Sequence, residues 1–428
     1  LAYVSRAGSN AVLRGADGSV LPAPVSYYDY TSTSRTQVWL LLPWPGDITR
    51  LAAIRRQFDL LLQDNDWTSL AVAPIDLTAN GGLGAVTAPP VVLDDSLAHK
   101  LTAVPHANGE DYWIICQQRA SDAFIVYRLG PSGVDPVPVI SHVGAVLPES
   151  VGGFPLNPMI HGNLVANYAG DALASVSFSA SPAWPDTSIT ELFHFDDATG
   201  EVTFWMSLPS DRSFMGEGGA EFSPDGTKLY VAEVPYIPTS NVRLVQYDLT
   251  DPAPMAVLGS ETLIQETLGP PDVIITAMPI AAAPDGRIYI GKGPSQYLAV
   301  IEHPDSAGLA CGLQSNGLFL SSADSWNFVP NTCKRYHDSE MTVGVKEVPK
   351  ASGAWQVWPV PAEEVLNVSV PERGRLAVLD MLGREVAWQR ADVQGTLGLE
   401  VAGLAPGTYL LRFASDHGVV LTGTFLKE

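Results

Sequence analysis

Phe222-Ser223-Pro224-Asp225-Gly226-Thr227-Lys228-Leu229-Tyr230-Val231-Ala232 reads as a strand end, a tight turn and a second strand. Asp-Gly supplies the positive φ that a hairpin turn requires. The run Leu229-Tyr230-Val231-Ala232 is apolar at consecutive positions, so both faces of that strand are expected to be buried. The phrase recurs. Turn glycines stand at Gly46, Gly109, Gly170, Gly226 and Gly286, spaced by 56 to 63 residues, within Pro45-Gly46-Asp47, Asn108-Gly109, Ala169-Gly170-Asp171, Asp225-Gly226 and Asp285-Gly286. Self-similarity at a fixed period marks a repeat architecture. Each turn is followed by a β-rich run, such as Ile288-Tyr289-Ile290. Further on comes another strand, as in Phe124-Ile125-Val126-Tyr127, Glu191-Leu192-Phe193-His194-Phe195 and Leu244-Val245-Gln246-Tyr247. A polar turn and a fourth strand complete the unit. Four antiparallel strands buried on both faces describe a propeller blade, because stacked blades cover one another. Leu51, Ile54, Phe58 and Leu61 follow helical spacing within Arg50 to Gln63, whereas the repeat frame places a strand there; the frame is preferred.

Composition agrees with a repeat domain joined to a smaller one. The chain has 428 residues, 46% hydrophobic and 16% charged, which supports a large core and argues against disorder. Its 34 prolines and 38 glycines suit a succession of hairpins. Apolar stretches such as Val38 to Trp44 are short, and none approaches the roughly 18 residues a membrane helix needs. With 46 acidic residues against 24 basic ones, the net charge of −22 repels phosphate backbones and argues against a nucleic-acid partner. The same charge favours solubility, including at an anionic cell surface. No basic segment followed by an apolar one opens the sequence, so a signal peptide is not expected within these residues. Leu1 to Ser5 reads as the second strand of a unit, with Asn10 to Leu13 and Val20-Leu21-Pro22 as its third and fourth. Trp326 to Pro330 reads as one more inner strand. Six units are traced and a seventh is implied. The expectation is a seven-bladed propeller, N-terminally incomplete here, with a gap between its first and last units.

Chemical signatures are sparse. There is no Gly-x-Ser-x-Gly, His-Glu-x-x-His, Cys-x-x-Cys or Gly-x-x-x-x-Gly-Lys pattern, so no catalytic residue, metal ligand or cofactor is assigned. Gly216, Gly218 and Gly219 lack the spacing of a dinucleotide loop. His106 and His161 sit close to inner strands. They read as hydrogen-bonded structural residues, the functional alternative being a metal or acid/base pair near the channel. Asp64-Asn65-Asp66, Asp94-Asp95 and Asp196-Asp197 read as solvated turns rather than Ca²⁺ loops. Trp39, Trp44, Trp67 and Trp113 read as core, with stacking on sugar rings as the alternative. Cys116 follows the apolar run Tyr112 to Ile115 and reads as a small buried hydrophobe. Cys311 and Cys333 form a candidate disulfide, although sequence alone leaves their separation open.

Several phrases resemble a family of exported Bacteroidetes β-propellers, over roughly residues 1 to 340. They are Asn80-Gly81-Gly82-Leu83-Gly84, Lys100 to Gly109, Phe222 to Tyr230, Ala283-Pro284-Asp285-Gly286, and Leu298 to Ile301 with Ala310-Cys311. The segment 355–428 resembles the type A sorting domain of type IX secretion cargo. Three blocks carry that likeness: Pro359-Val360-Pro361-Ala362 leading into Val365-Leu366-Asn367-Val368; Val378-Leu379-Asp380-Met381-Leu382-Gly383-Arg384-Glu385-Val386; and Leu404-Ala405-Pro406-Gly407-Thr408-Tyr409-Leu410-Leu411-Arg412-Phe413. Leu366, Val368 and Val370 alternate, as do Tyr409, Leu411 and Phe413, so one face of each strand is expected to meet the core of a small Ig-like β-sandwich. The expected layout is an all-β chain: a β-propeller over 1–340, a linker over 341–354 and the sorting domain over 355–428. The resemblance implies export across the outer membrane to the cell surface or the extracellular space. It also implies as partners the type IX machinery and its surface transpeptidase-like protease. The expected role is binding or adhesion, with a glycan or protein ligand and no cofactor. The alternative is an extracellular propeller hydrolase of the lactonase or glycan-cleaving type with its site in the channel.

Overall fold

A computed structural model describes residues 3–7, 10–14, 37, 39–57, 69–146, 161–178, 189–208, 218–233, 242–266, 279–292, 295–320, 331, 333–335, 357–379, 385–415 and 420–427. The chain divides into two compact units, Leu1–Met341 and Thr342–Glu428.

The first unit is a series of antiparallel sheets, each made from one contiguous stretch of chain. Strands β1 (Tyr3–Ala7) and β2 (Asn10–Arg14) pair with each other. Sheet 1 holds β3 (Trp39–Trp44), β4 (Asp47–Gln57), β5 (Ser69–Asp76), β6 (Ala85–Val86) and β7 (Val91–Asp94). Sheet 2 holds β8 (Leu97–Pro105), β9 (Tyr112–Gln118), β10 (Ala123–Gly130), β11 (Gly133–Val134) and β12 (Val139–His142). Sheet 3 runs β13 (His161–Ala166), β14 (Ala172–Phe178), β15 (Ile189–Phe195), β16 (Val202–Leu208). Sheet 4 runs β17 (Gly219–Phe222), β18 (Lys228–Glu233), β19 (Arg243–Asp248), β20 (Thr262–Glu266). Sheet 5 runs β21 (Ile280–Ala282), β22 (Ile288–Ile290), β23 (Tyr297–Ile301), β24 (Leu313–Phe319). First strands neighbour one another: β8 lies against β13, β13 against β17, and β17 against β21. This is the arrangement of propeller blades around their inner strands.

Burial on both faces has a direct physical form here, because each apolar layer is shared by two successive sheets. From β9, Tyr112, Ile114 and Cys116 point into the layer with Leu40, Leu42 and Ile54 of sheet 1. The intervening Trp113 and Ile115 point into the layer with Leu164, Leu173 and Phe193 of sheet 3. Val165 and Val176 meet Phe222 and Leu229 in the next layer. Tyr230 and Leu244 meet Ile288 and Ile301 in the one after. Period-two alternation survives, but both phases are apolar, which is why the sequence shows continuous runs. The stretch with helical spacing is strand β4 up to Gln57, paired along its length with β5. Residues 58–63 lie outside the described set.

The turn glycines Gly46, Gly109, Gly170, Gly226 and Gly286 have φ of 72°, 79°, 82°, 73° and 79°. Each joins the first strand of a sheet to the second. At Gly170 space adds to conformation: a Cβ there would stand 2.6 Å from Val104 Cγ1 of the preceding sheet. Asn167 closes that turn, its Oδ1 accepting from the backbone N–H of Gly170, Asp171 and Ala172.

The Cys311–Cys333 disulfide does not form. All three cysteines are free and buried. Cys311 packs in the layer between sheets 4 and 5, whereas Cys333 joins the layer between sheets 1 and 2, so the two thiols belong to different cores. Val20-Leu21-Pro22, Trp326 to Pro330 and the stretch 341–354 lie outside the described residues.

The second unit is a two-sheet sandwich. One sheet runs β25 (Val357–Trp358), β26 (Val365–Val370), β29 (Gly395–Glu400). The other runs β28 (Glu385–Ala391), β27 (Gly374–Leu379), β30 (Gly407–Ser415), β31 (Val420–Lys427). Leu366, Val368 and Val370 of the first meet Leu376, Val378, Leu411, Phe413 and Phe425 of the second in one apolar core. Tyr409 stacks on Phe425 at 5.5 Å and donates its hydroxyl to Ala405 O at 2.8 Å.

Candidate functional site

Three sets of polar side chains stand out in the first unit. The first set lies on or beside the inner strands. Gln37 acts as an amide bridge: its Nε2 donates to Leu164 O at 2.7 Å, and its Oε1 accepts from Leu164 N at 2.9 Å and Leu101 N at 3.2 Å. Asn163 of β13 repeats the motif one joint on, with Nδ2 donating to Ala220 O at 2.9 Å and Oδ1 accepting from Ala220 N at 3.0 Å. Glu221 of β17 is fully buried, accepts from Ala282 N of β21 at 2.9 Å and from its neighbour Phe222 N, and is ion-paired with Lys334. Asn331 Nδ2 donates to Leu101 O at 2.8 Å. These groups satisfy backbone donors and acceptors that inner strands of different sheets do not offer each other, and buried groups of that kind need partners.

The second set lies between sheets 2 and 3. Lys100 of β8 is fully buried, and its Nζ donates to Gln117 Oε1 and Ser175 Oγ, both at 2.8 Å, and to Ser177 Oγ. Ser175 Oγ also donates to Gln117 Oε1. Burial pulls the Lys100 amine from 10.5 down to about 7, against the opposing pull of the Glu191 carboxylate. Burial likewise pushes the Glu191 carboxyl up, although Ala145 N–H donates to it and Lys100 favours its ionised form. An amine poised near neutrality has the chemistry of a base or nucleophile, but solvent does not reach this one. It joins Gln117 of one blade to Ser175 and Ser177 of the next.

The third set is aromatic. Trp44 Nε1 donates to Pro131 O at 3.0 Å, Trp113 Nε1 to Asp197 O at 2.8 Å, Trp205 Nε1 to Pro252 O at 3.0 Å, and Tyr230 OH to Pro304 O at 2.8 Å. Each donor belongs to one sheet, and each acceptor follows the third strand of the next. Sequence reading placed Trp39, Trp44 and Trp113 in the core, where they are, but missed the indole donors. Their acceptors lie 84 and 87 residues away for Trp113 and Trp44, beyond any local signal. Gln37, Asn163 and Glu221 were also missed; the available signal was a lone amide or carboxylate at the edge of or inside an otherwise apolar first strand.

The two histidines are not brought together. His106 follows the end of β8, stacks on Trp113 at 4.8 Å, and its Nδ1 accepts from Asn108 N–H. His161 begins β13. Gln37 ties the middles of these strands at Leu101 and Leu164, and Gly170 beyond β13 approaches Val104 near the end of β8. The strands therefore run the same way, with the two histidines at opposite ends. Asp94 accepts from Ser96 N–H and hydroxyl, and Asp196 from Ala198 and Thr199 N–H, as turn-closing carboxylates do. Asp64, Asn65, Asp66 and Trp67 lie outside the described residues. Asn108 closes its turn through Asp111, and Asp285 accepts from Arg287 N–H and the Tyr289 hydroxyl. In the second unit Pro359 and Pro361 precede β26, Leu366 is fully buried, Gly407 opens β30, and Arg412 is exposed on it. Asp380, Gly383 and Arg384 fall outside the described residues. Among the described residues no group of three or more His, Cys, Asp or Glu side chains is arranged to hold a metal ion. No described helix is long and apolar enough to cross a membrane.

Residues 356–427 match the family described as secretion system C-terminal sorting domain. The tail is a type IX sorting domain. It directs the protein through type IX secretion to the cell surface or extracellular space, and so implies involvement of that machinery. The sorting domain comprises the sandwich described above. No curated protein matches the chain. Among solved structures, a protein assigned as a 6-phosphogluconolactonase from Bacteroides uniformis is 13% identical. The alignment covers 92% of this chain and 96% of that one, with a TM-score of 0.43. A gluconolactonase from Xanthomonas campestris is 12% identical over 86% of this chain and 91% of that one, at a TM-score of 0.33. TolB from Acinetobacter baumannii is 13% identical over 73% and 62%, at 0.34.

Proposed function

We propose that this is an exported propeller that binds a glycan or protein ligand at the cell surface, using the turns and loops at its blade ends. The observation that carries this reading is the use made of the inner strands. Gln37, Asn163 and Glu221 direct their polar atoms at the backbone of neighbouring sheets, and Lys334 is spent on Glu221. A channel built this way holds blades together, which leaves recognition to the loops that a rigid scaffold displays. The sorting domain adds the destination. A glycan and protein array probed with the purified full chain tests the proposal, with saturable binding to a defined ligand class as the expected result. Turnover of lactone, ester or glycoside substrates that vanishes in His106→Ala or Glu221→Gln would instead make the protein a channel-sited hydrolase.

A further inference from the structure

The sandwich has one face that an exposed sheet does not ordinarily show. On the outer side of the sheet β28-β27-β30-β31, Arg375 and Arg390 stand directly opposite each other across β27 and β28. One row on, Ala377 lies between Trp388 and Arg412. Trp388 is 58% exposed, with the Arg375 guanidinium 4.9 Å from its ring centroid. Val386, Leu410 and Leu426 are exposed on the same sheet. Arg390 has Asp392 at 3.8 Å, a pair exposed on both sides. The outward phase of an antiparallel sheet in water is normally polar; here, beside Thr408 and Thr424, it carries exposed aliphatic, aromatic and cationic side chains, in a chain of net charge −22.

We propose that this face, centred on Trp388, Arg390 and Arg412, is the surface by which the sorting domain docks on its export machinery, on a partner protein that surrounds an apolar patch with carboxylates. The inference rests on the sorting-domain reading, not on the ligand of the propeller. Three features choose this occupant. Trp and Arg are the side chains that concentrate binding energy at protein interfaces. All three cations are Arg, whose planar fork meets a carboxylate through two parallel hydrogen bonds. The exposed aliphatic side chains of Val386, Leu410 and Leu426 match an apolar protein surface, whereas an anionic glycolipid headgroup would use only the arginines and the indole.

The test uses the full chain in a bacterium that runs type IX secretion. In Trp388→Ala/Arg390→Glu/Arg412→Glu, the extracellular amount should fall by roughly tenfold or more, as loss of interface anchors implies, with matching accumulation in the periplasm. The thermal midpoint should stay at the wild-type value. Arg412→Glu alone changes one exposed side chain and should show a smaller loss in the same direction. Arg128→Glu in the first unit should export normally. A photo-crosslinking residue at position 388 should yield an adduct of protein mass. Normal export of the triple variant overturns the proposal, as does an adduct with glycolipid alone. A chain lacking 356–427 separates the two levels. If it too is exported, the sorting assignment fails; if it is retained while the triple variant leaves, only the docking face fails.

Discussion

Lys100→Met should make the stability of this protein less dependent on pH, in one calculable direction. The amine titrates at about 7 in the folded chain against 10.5 when exposed. At about 1.4 kcal/mol per unit, that displacement is on the order of 4–5 kcal/mol. Below pH 7 both folded and unfolded chains hold the proton, and the full cost of burying the charge is present. Between 7 and 10.5 the unfolded chain binds the proton and the folded one does not, so wild-type stability rises with pH, by up to about 1.4 kcal/mol per unit. Above 10.5 both forms are neutral and the cost is gone. Met keeps most of the volume, and Ser175 and Gln117 still bond to each other. The variant's advantage over wild type should therefore be largest below pH 7 and shrink steadily above it. Urea unfolding of the full chain at several pH values from about 6.5 to 9.5 reads this difference directly. Repeating it in a Glu191→Gln background leaves the amine alone to titrate, since the neighbouring carboxyl is itself raised by burial. A difference that stays flat across the range would refute the argument.

Asn163→Leu removes both bonds to the backbone of Ala220 and strands a buried donor and acceptor, so urea unfolding should show a loss of about 2–4 kcal/mol. Gly170→Ala meets Val104 and adopts an unfavourable φ, and a melting curve should show destabilisation of about 2 kcal/mol or more. Trp113→Phe keeps the packing but deprives Asp197 O of its indole donor; about 1 kcal/mol should be lost, with Ala107 N–H still bonded to that carbonyl. Thiol titration of the unreduced protein in denaturant should count all three cysteines, and the same reagent should react slowly with the native chain, where burial pushes the Cys333 thiol up to about 12.

The hairpins were legible because their determinants are local: a turn glycine, in three of the five turns within an Asn-Gly or Asp-Gly pair, and the apolar run after it. The tail's sandwich was legible because Leu366, Val368 and Val370 and then Tyr409, Leu411 and Phe413 alternate strictly, one phase entering the core; its sorting role was legible only through the resemblance of its motif blocks. Lys100 was hidden for the opposite reason. Its partners Ser175 and Ser177 lie 75 and 77 residues on, and a lysine in Leu97 to Pro105 looks like a solvated interruption of a strand. Counting cysteines suggested a bond that geometry denies, because the neighbour of a residue in a blade array is set by which layer its strand face enters. Strand β4 illustrates the same point: its apolar residues fit a helix until β5 is known to pair with it.

The aromatic donors share a direction. Trp44, Trp113, Trp205 and Tyr230 all belong to the earlier sheet of their joint, and Pro131, Asp197, Pro252 and Pro304 all belong to the later one. Each of these bonds therefore fastens the turn after a sheet's third strand to the sheet before it. Loss of one donor should then loosen the turn of the following sheet, a polarity in a structure whose repeated units otherwise look interchangeable.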